Sequence, residues 1–246
     1  MTLVDTKAVV LVGGLGTRLR AVLPSLPKPM AKIGDQPFLG LLLRQLESQG
    51  LRNIVLCTGY LADEIEREFG DGSTLGVRVE YSKELHPLGT GGAVKHAETF
   101  LEGLPDFLVM NGDSFLEADF AGLVRVHRMH GAFATLALVS VENSGRYGTV
   151  RTDESGRVVE FCEKTGRDCP SLISAGVYVF SHAVLDHIPV GQSSLERDVF
   201  PRLLTDGIYA VRQEGLFIDI GTPADYAHAQ EFFARVSSHE RTSAKA

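Results

Sequence analysis

A glycine turn followed by fixed cations stands near the start of the chain. The segment Lys7–Leu19 reads KAVVLVGGLGTRL, a β-branched run that ends in glycines. Glycine backbone can lie flat against a ligand, so consecutive N–H groups can point at phosphate oxygens. Arg18 follows at once, and Lys28 is held between Pro27 and Pro29. These residues predict a polyphosphate cradle, whose turn contains Gly13, Gly14, Gly16 and Thr17.

The cradle differs from two better-known glycine motifs. A Walker loop requires Lys-Ser or Lys-Thr after its last glycine, whereas Thr17-Arg18 follows Gly16 here. A dinucleotide fingerprint requires a third glycine, which is missing from the stretch GLGTRL, and this disfavours a nicotinamide-dependent oxidoreductase. A turn that serves only to leave a strand remains the alternative.

Two aspartates are candidates for a metal site. Asp113 follows the apolar run Phe107–Met110, at the point where a parallel sheet presents functional groups, although a simple turn or helix cap would also use an aspartate there. Asp219 interrupts the apolar run Phe217–Ile220, where an unpartnered carboxylate is costly to bury. A shared divalent cation would relieve both, and Mg²⁺ favours one or two carboxylates completed by phosphate oxygens and water.

Composition narrows the classes of function. The 246 residues carry a net charge of −7 without a basic stripe, which argues against nucleic acid or an anionic membrane as a partner. No apolar run is long enough to span a bilayer, and the N-terminus lacks the pattern of a signal peptide, so we expect a cytoplasmic protein. We expect the cysteines to be reduced bystanders: Cys57, Cys162 and Cys169.

The first half of the chain alternates strands and helices. A helix capped by Asp35 is predicted to begin near Pro37. Further strands are predicted at Asn53–Cys57, Val77–Tyr81 and Phe107–Met110, and further helices at Ala62–Phe69, Gly91–Leu101 and Asp119–His130. A glycine loop, Gly89–Gly92, is predicted to lead into the second of these helices. This alternation predicts an α/β fold, Rossmann-like, with a mixed but mainly parallel sheet and helices on both faces.

From Ala132 onward short strands joined by turns predominate. They are predicted at Ala132–Val141, Gly148–Thr152, Val158–Glu163, Ser174–Phe180, Ile208–Arg212 and Leu216–Ile220. Two helices are predicted near Ser194–Leu204 and Pro223–Val236. No linker divides the chain, so we expect one domain over 1–236, whose second half, from 132, builds a substrate platform, and a disordered tail over 237–246.

Seven motifs in order resemble one enzyme family. They are GGLGTRLR, LPKPM, PLGTGGA, NGD, RYG, EK and IDIGTP, and they extend over essentially Lys7–Glu231. Together they resemble the sugar-1-phosphate nucleotidylyltransferases, and the longer run from VVLVGGLGTRLR to LPKPMAKIGDQPFL is most similar to D-glycero-α-D-manno-heptose 1-phosphate guanylyltransferases. The resemblance implies attack of a sugar 1-phosphate on the α-phosphorus of a nucleoside triphosphate, giving an NDP-sugar and pyrophosphate.

The resemblance also implies a nucleotide-binding half to about 131, a sugar-binding half over 132–236, and roles for individual residues. Arg18 would bind the β- and γ-phosphates, Lys28 would neutralise charge at the α-phosphate, and Lys164 would bind the sugar phosphate. Asp113 and Asp219 would hold Mg²⁺. The nucleotide would be bound by the glycine turn with Thr17, and by Glu84, Gly89, Thr90 and Gly112. The sugar would be bound by Tyr147, Gly148, Glu163 and Ser174.

Two of these positions bear on specificity. A carboxylate can accept the adjacent N–H groups of guanine, so we expect Glu84 to favour GTP. Ser174 stands where many relatives carry asparagine, which leaves the sugar open. The alternatives are a UTP- or dTTP-dependent transferase for a hexose or amino-sugar phosphate, and a non-catalytic regulatory domain of the same fold. Either a monomer or a homodimer is compatible with the sequence.

Overall fold

A mixed sheet forms the centre of the protein. The computed structural model describes residues 3, 6–19, 22–23, 26–162, 166 and 169–243, with side chains described as far as 234. Its strands are β1 Lys7–Leu11, β2 Lys32–Ile33, β3 Gln36–Pro37, β4 Asn53–Thr58, β5 Arg78–Lys83, β6 Asp106–Asn111, β7 Ser114–Leu116, β8 Ala134–Val141, β9 Thr149–Thr152, β10 Val158–Cys162, β11 Ser171–Ser181, β12 Ile208–Arg212 and β13 Phe217–Asp219.

Helices flank these strands. The α-helices are α1 Phe38–Ser48, α2 Ala62–Phe69, α3 Gly89–His96, α4 Phe120–His130, α5 Phe200–Leu203 and α6 Pro223–Ser243. Short 3₁₀ turns form at Lys28–Met30, Ser73–Leu75, Glu98–Leu101 and His182–His187, and a π-helical turn at Leu195–Val199 leads into α5.

The sheet combines a parallel half with an antiparallel half. Its order is β10-β9-β11-β6-β1-β4-β5, with β8 also paired to β11 and β12 to β8. The strands β6, β1, β4 and β5 are all parallel, whereas β11 runs antiparallel to β6, β8 and β9. The predicted α/β class with a mixed sheet in a single domain is confirmed.

Alternating side chains bury both faces of this sheet. Along β1, Ala8 and Val10 belong to one core together with α1 and α4, whereas Val9 belongs to a second core together with α3 and α5. In β6, Met110 faces the first core and Val109 the second. A strand covered on both sides is apolar throughout, which explains why these central strands show no polar alternation. Helices therefore cover both faces, as predicted.

A two-stranded ladder outside the main sheet joins two distant segments. Strand β7 pairs antiparallel with β13, with Ser114 opposite Asp219. The Ile220 amide extends the ladder by donating to the Asp113 carbonyl at 3.0 Å. Neither the short β7 nor its pairing follows from the sequence pattern.

The start of α1 differs from the prediction. The helix begins at Phe38, and Pro37 precedes it in extended conformation without a side-chain cap. Asp35 lies instead in the turn between β2 and β3. The Phe38 amide donates to the Ala31 carbonyl at 2.9 Å, so tertiary backbone supplies the partner that a capping side chain would have supplied.

Two further boundaries differ from the prediction. Helix α3 begins at Gly89 and ends at His96, so the glycines 89–92 lie in its first turn rather than in a loop before it. Helix α6 continues through Ser243, into the 237–246 segment that was predicted to be disordered. Neither glycine nor proline interrupts the sequence after Pro223, which permits the helix to continue. In the described ranges, no helix is long and apolar enough to cross a membrane.

His127 makes the stability of the fold sensitive to acid. The residue is buried in α4, and its Nδ1 lies 3.0 Å from the Thr135 hydroxyl. Burial lowers the pKa of His127 to about 4. In the unfolded chain, the His127 imidazole is protonated as the pH falls below about 6.5. In the folded chain, it is protonated only near pH 4. The contribution of His127 to the free energy of unfolding is therefore lost as the pH falls from about 6.5 to about 4.

We predict that His127→Gln weakens the acid dependence of unfolding. Urea unfolding of both proteins between pH 4 and 8 should show a shallower loss below pH 6.5 in the variant. The difference in slope should approach about 1.4 kcal/mol per pH unit, the value for one proton. Parallel curves for the two proteins would contradict the assignment.

Candidate active site

A cleft of about 660 Å³ opens where β1 and β6 end. Most of the predicted site residues line it, although they come from segments up to about 200 residues apart in the chain. They are Gly13, Gly14, Gly16, Thr17, Arg18, Lys28, Glu84, Gly89, Thr90, Asp113, Tyr147, Gly148, Ser174 and Asp219. Ligand binding at the carboxyl ends of parallel strands is the usual arrangement of open α/β sheets.

Three predicted residues are not placed on the cleft. Glu163 and Lys164 lie outside the described residues. Gly112 is buried behind the cleft wall, where its amide donates to the Leu11 carbonyl at 2.9 Å. A Cβ at Gly112 would collide with the Val12 side chain, so glycine is required there for packing between strand ends. The structure thus gives Gly112 a packing role and no cleft surface.

The glycines of the turn after β1 meet different surroundings. A Cβ at Gly13 would lie 2.9 Å from the Glu84 carboxylate. Gly16 has φ of +58°, and a Cβ there would lie 3.0 Å from the Lys28 side chain. Gly14, by contrast, is exposed on the cleft, and a Cβ there would meet no protein atom within 4 Å. Protein packing therefore explains Gly13 and Gly16, while only an incoming ligand would restrict Gly14.

A short ion pair crosses the bottom of the cleft. The Lys28 ammonium lies 2.5 Å from Oδ2 of Asp113, and its side chain is only 13% exposed. Pro27 precedes the 3₁₀ turn that begins at Lys28 and Pro29 lies within it, so the two prolines restrict the backbone on either side of Lys28. Arg18 lies on the same cleft but is exposed, with no ion-pair partner in the part of the chain that the structure describes. Arg18 is thus a cation available to a ligand.

The ladder of β7 and β13 brings the second carboxylate to this pair. Burial raises the pKa of Asp219, the negative charge of Asp113 raises it further, and Lys28 lowers it. The Gly221 amide donates to Oδ1 of Asp219. Like charges at close range are unfavourable, so Asp113 and Asp219 form a site whose charge favours a cation.

The donor set is compatible with a divalent metal. Both partners are carboxylates, and the described residues contain no group of three or more His, Cys, Asp or Glu suited to a metal. A metal held by Asp113 and Asp219 would therefore take its other ligands from phosphate oxygens and water, which is the preference of Mg²⁺. This chemistry fits the predicted site.

Glu84 lies between the glycine turn and the loop after β5. Its Oε2 accepts a hydrogen bond from the Leu88 amide at 2.9 Å, which closes the loop 84–88. A Cβ on Gly13 would press on its carboxylate, and burial raises the pKa of Glu84. One oxygen is thus committed to the loop, and a nucleotide base would have the other within reach.

The glycines at the start of α3 allow a second segment to pack closely. The amides of Gly91 and Gly92 donate to the Ser193 carbonyl at 2.9 and 3.2 Å. A Cβ at Gly89 would press on that same carbonyl, and one at Gly92 on the carbonyl of Gly191. The glycine cluster therefore joins the two halves of the chain, and this contact places Thr90 on the cleft.

Glu196 is a cleft residue that the sequence pattern did not predict. It lies in the π-helical turn and accepts hydrogen bonds from the hydroxyls of Thr90 at 2.9 Å and Ser194 at 2.8 Å. The Tyr178 hydroxyl lies 3.3 Å from its other oxygen. An acidic residue after Ser194 is typical of a helix first turn, so the sequence offered no sign of a cleft position. In the structure, the π turn that carries Glu196 is a feature that often occurs at functional sites.

The predicted sugar side of the cleft is held together by backbone and side-chain contacts. The Ser174 amide donates to the Gly148 carbonyl at 3.1 Å, and its hydroxyl donates to that of Tyr178 at 3.3 Å. The side-chain carbonyl oxygen of Asn111, at the end of β6, is buried and has no hydrogen-bond partner among the described residues. A Cβ at Gly176 would collide with the side-chain amide of Asn111. Asn111 was not among the predicted site residues, although it precedes Asp113 by two positions.

Comparison with known proteins identifies the family of the chain. The sequence profile of the nucleotidyl transferase family matches residues 7–236. The chain belongs to that family. Its sequence is 44% identical over 232 residues to a mannose-1-phosphate guanylyltransferase of Mycobacterium tuberculosis, a match that covers 93% of this chain and 64% of that protein. The chain thus spans slightly less than two thirds of the length of this curated relative.

Solved structures share the fold of this chain. HddC from Yersinia pseudotuberculosis superimposes with a TM-score of 0.83 at 35% identity, covering 93% of this chain and 99% of that one. That protein has also been crystallised in complex with GMP-PN. A putative glucose-1-phosphate thymidylyltransferase from Bacillus anthracis superimposes equally well at 22% identity, over 92% of this chain and 94% of that one, which shows the fold alone.

We predict opposite consequences for alanine at two glycines of the turn. Gly14→Ala should change the free energy of unfolding by less than about 0.5 kcal/mol yet weaken nucleotide binding, because only a ligand faces that position. Gly16→Ala should cost about 1–2 kcal/mol, because it forces a side chain into left-handed backbone. Thermal unfolding and nucleotide titration of both variants test this. Unchanged nucleotide affinity in Gly14→Ala would rule out close approach of the ligand there.

Proposed function

We propose that this protein transfers a nucleotidyl group to a sugar 1-phosphate, with GTP as donor and Mg²⁺ as cofactor. The observation that carries the proposal is the cluster of Lys28, Asp113 and Asp219 at the bottom of one cleft. The exposed Arg18 and Gly14 lie on the same cleft, and so do Gly148 and Ser174. Two phosphorylated substrates would meet beside the charge cluster.

The chemistry needs positioning and charge compensation more than a new nucleophile. A phosphate oxygen of the sugar 1-phosphate attacks the α-phosphorus of the nucleotide, and the bond from that phosphorus to the pyrophosphate oxygen breaks. The phosphate monoester is already nucleophilic, so no activated Ser, Cys or His is required. The cost lies in bringing two polyanions together, which fixed cations reduce.

The residues of the cleft divide this task. Lys28 would neutralise charge at the α-phosphate, and Arg18 would hold the β- and γ-phosphates and the departing pyrophosphate. Asp113 and Asp219 would hold Mg²⁺, which supplies positive charge to the phosphate oxygens when bound. As the family resemblance implies, Lys164 would bind the phosphate of the sugar 1-phosphate and Glu163 would bind the sugar.

Guanine and a manno-configured sugar are the favoured substrates. The mycobacterial relative is a guanylyltransferase, and the structural neighbour HddC was crystallised with GMP-PN. The motif resemblance points to D-glycero-α-D-manno-heptose 1-phosphate, while the relative's name specifies mannose 1-phosphate. These sugars share the configuration of the pyranose ring and differ by one exocyclic carbon. The heptose is the first candidate and mannose the second.

A substrate panel tests the proposal. ATP, CTP, GTP, UTP and dTTP are each combined with the 1-phosphates of the heptose, mannose, glucose and N-acetylglucosamine, and pyrophosphate release is measured with Mg²⁺ and with excess chelator. We expect release with GTP and the manno-configured sugars, abolished by chelator. Preference for UTP or dTTP with glucose or an amino sugar would establish the alternative enzyme. Nucleotide binding without release in any pair would indicate a non-catalytic domain.

We predict that Glu84→Gln lowers the preference for GTP. Glutamine keeps an oxygen that can accept from the Leu88 amide, so the loop should survive while the negative charge is lost. A carboxylate that accepts guanine N–H groups is worth about 1–3 kcal/mol of discrimination, so the GTP/UTP ratio of kcat/KM should fall at least about fivefold. The same ratio in both proteins would contradict a role of Glu84 in base choice.

A further inference from the structure

An ion pair joins the start of α6 to the turn before β9. Oδ2 of Asp225 lies 2.5 Å from Nη1 of Arg146, and Oδ1 lies 2.9 Å from Nη2. The pair is bidentate and partly shielded, with exposed fractions of 43% for the Arg146 side chain and 23% for that of Asp225. Two-point pairs of this kind fix orientation as well as charge. The partners are 79 positions apart in the chain, so the pair is a tertiary link.

Asp225 is itself held rigidly by its own helix. The Thr222 hydroxyl donates to Oδ2 of Asp225 at 2.6 Å, and the Thr222 amide donates to the same oxygen at 3.1 Å. The Asp225 amide donates back to the Thr222 hydroxyl at 3.3 Å. This reciprocal arrangement is a capping box, with threonine before the helix and the acid three residues later. The Asp225 carboxylate, which pairs with Arg146, is therefore held in one orientation.

Arg146, fixed by Asp225, in turn orients the side chain of Tyr147. Nη2 of Arg146 donates a hydrogen bond to the Tyr147 hydroxyl at 3.0 Å, while its Cζ lies 5.3 Å from the centre of that ring. Three of the five guanidinium N–H groups are thus engaged, and Asp225 neutralises the charge. Arg146 is for this reason suited to hold Tyr147 rather than to bind a phosphate itself.

Tyr147 is thereby presented to the cleft as a hydrogen-bond donor. Its ring makes an edge-on contact with Phe217, with centroids 5.8 Å apart and planes at 72°. Its oxygen accepts from Arg146, and its own proton has no acceptor among the residues that the structure describes. Both Tyr147 and Asp219 line the cleft. A ligand oxygen is the partner that this proton lacks.

We infer that Asp225 is a positioning residue which, through Arg146, directs the Tyr147 hydroxyl as a donor to an oxygen of the sugar 1-phosphate. The inference rests on the proposed function and extends it to residues away from the substrate. It also couples two sites, because Phe217, Asp219 and Asp225 belong to one continuous stretch of β13 and α6. The stretch that carries a metal carboxylate also orients a sugar-side residue.

The test compares Asp225→Asn with Tyr147→Phe and with the double variant. Each single change should raise KM for the sugar 1-phosphate about tenfold while KM for the nucleotide stays within about twofold. Because Asp225 is inferred to act through Tyr147, the double variant should be no worse than Tyr147→Phe alone. Asp225→Glu, which keeps the charge, should recover most of the loss.

A matched control separates positioning from helix stability. Thr222→Ala removes the capping hydroxyl but leaves Arg146 and Asp225 able to pair. We expect it to lower Tm as Asp225→Asn does, but to raise KM for the sugar phosphate by less than about twofold, because the Thr222 amide and Arg146 still hold the carboxylate. Should Asp225→Asn fail to fold, Arg146→Lys breaks the two-point pair from the other side and should raise the same KM.

The outcomes distinguish this inference from the function on which it rests. A wild-type protein that releases no pyrophosphate with any substrate pair overturns the proposed function and the inference with it. Normal wild-type turnover with an unchanged sugar-phosphate KM in Asp225→Asn overturns the inference alone. Additive losses in the double variant, or an equal KM rise in Thr222→Ala, would also overturn it, because Asp225 would then act by another route.

Discussion

The Lys28 ammonium and the carboxylates of Asp113 and Asp219 form a charge cluster, and its balance constrains the structure around it. Burial and mutual repulsion favour a protonated Asp219, while Lys28 opposes that tendency. The cluster holds together because backbone fixes all three groups: prolines beside Lys28, and the β7–β13 ladder beside the aspartates. If the two aspartates were on flexible loops, their carboxylates would move apart and reduce the repulsion between them. A cation or a phosphate arriving here meets groups that are already in place.

The cleft exists because distant segments are tied to each other across it. Thr90 reaches Glu196, the amides of Gly91 and Gly92 reach Ser193, and Arg146 reaches Asp225. Each tie joins a residue of one stretch to a residue at least 79 positions away. The walls of the cleft therefore form only when these segments pack together. Burial of the two apolar cores beneath them supplies most of the free energy that drives this folding.

The local sequence pattern predicted the bounds of a strand or helix well where a single interaction decides them. It predicted them poorly where local preference and tertiary contacts compete. The apolar run of β6 and the acidic helix α2 correspond closely to their predicted ranges, since burial alone decides them. Asp35 was the wrong cap because the Ala31 carbonyl satisfies the first amide of α1. The glycines 89–92 suggest a loop by their low helix propensity, yet they form a helical turn because only glycine lets the 191–193 segment approach.

The sequence by itself determined the fold class and the chemical character expected of the site, because β-branched runs, glycine turns and isolated charges are local signals. The family was recognised from the resemblance of its ordered motifs. It also predicted Lys28, Asp113 and Asp219, since charged residues in apolar or proline-bound settings need a reason to be there. Only the tertiary structure decided that these charges share one cleft, that Glu196 and Asn111 line it, and that Asp225 reaches Tyr147 through Arg146. The physical reason is that such contacts join residues tens to hundreds of positions apart, and their geometry depends on how whole elements pack rather than on spacing along the chain.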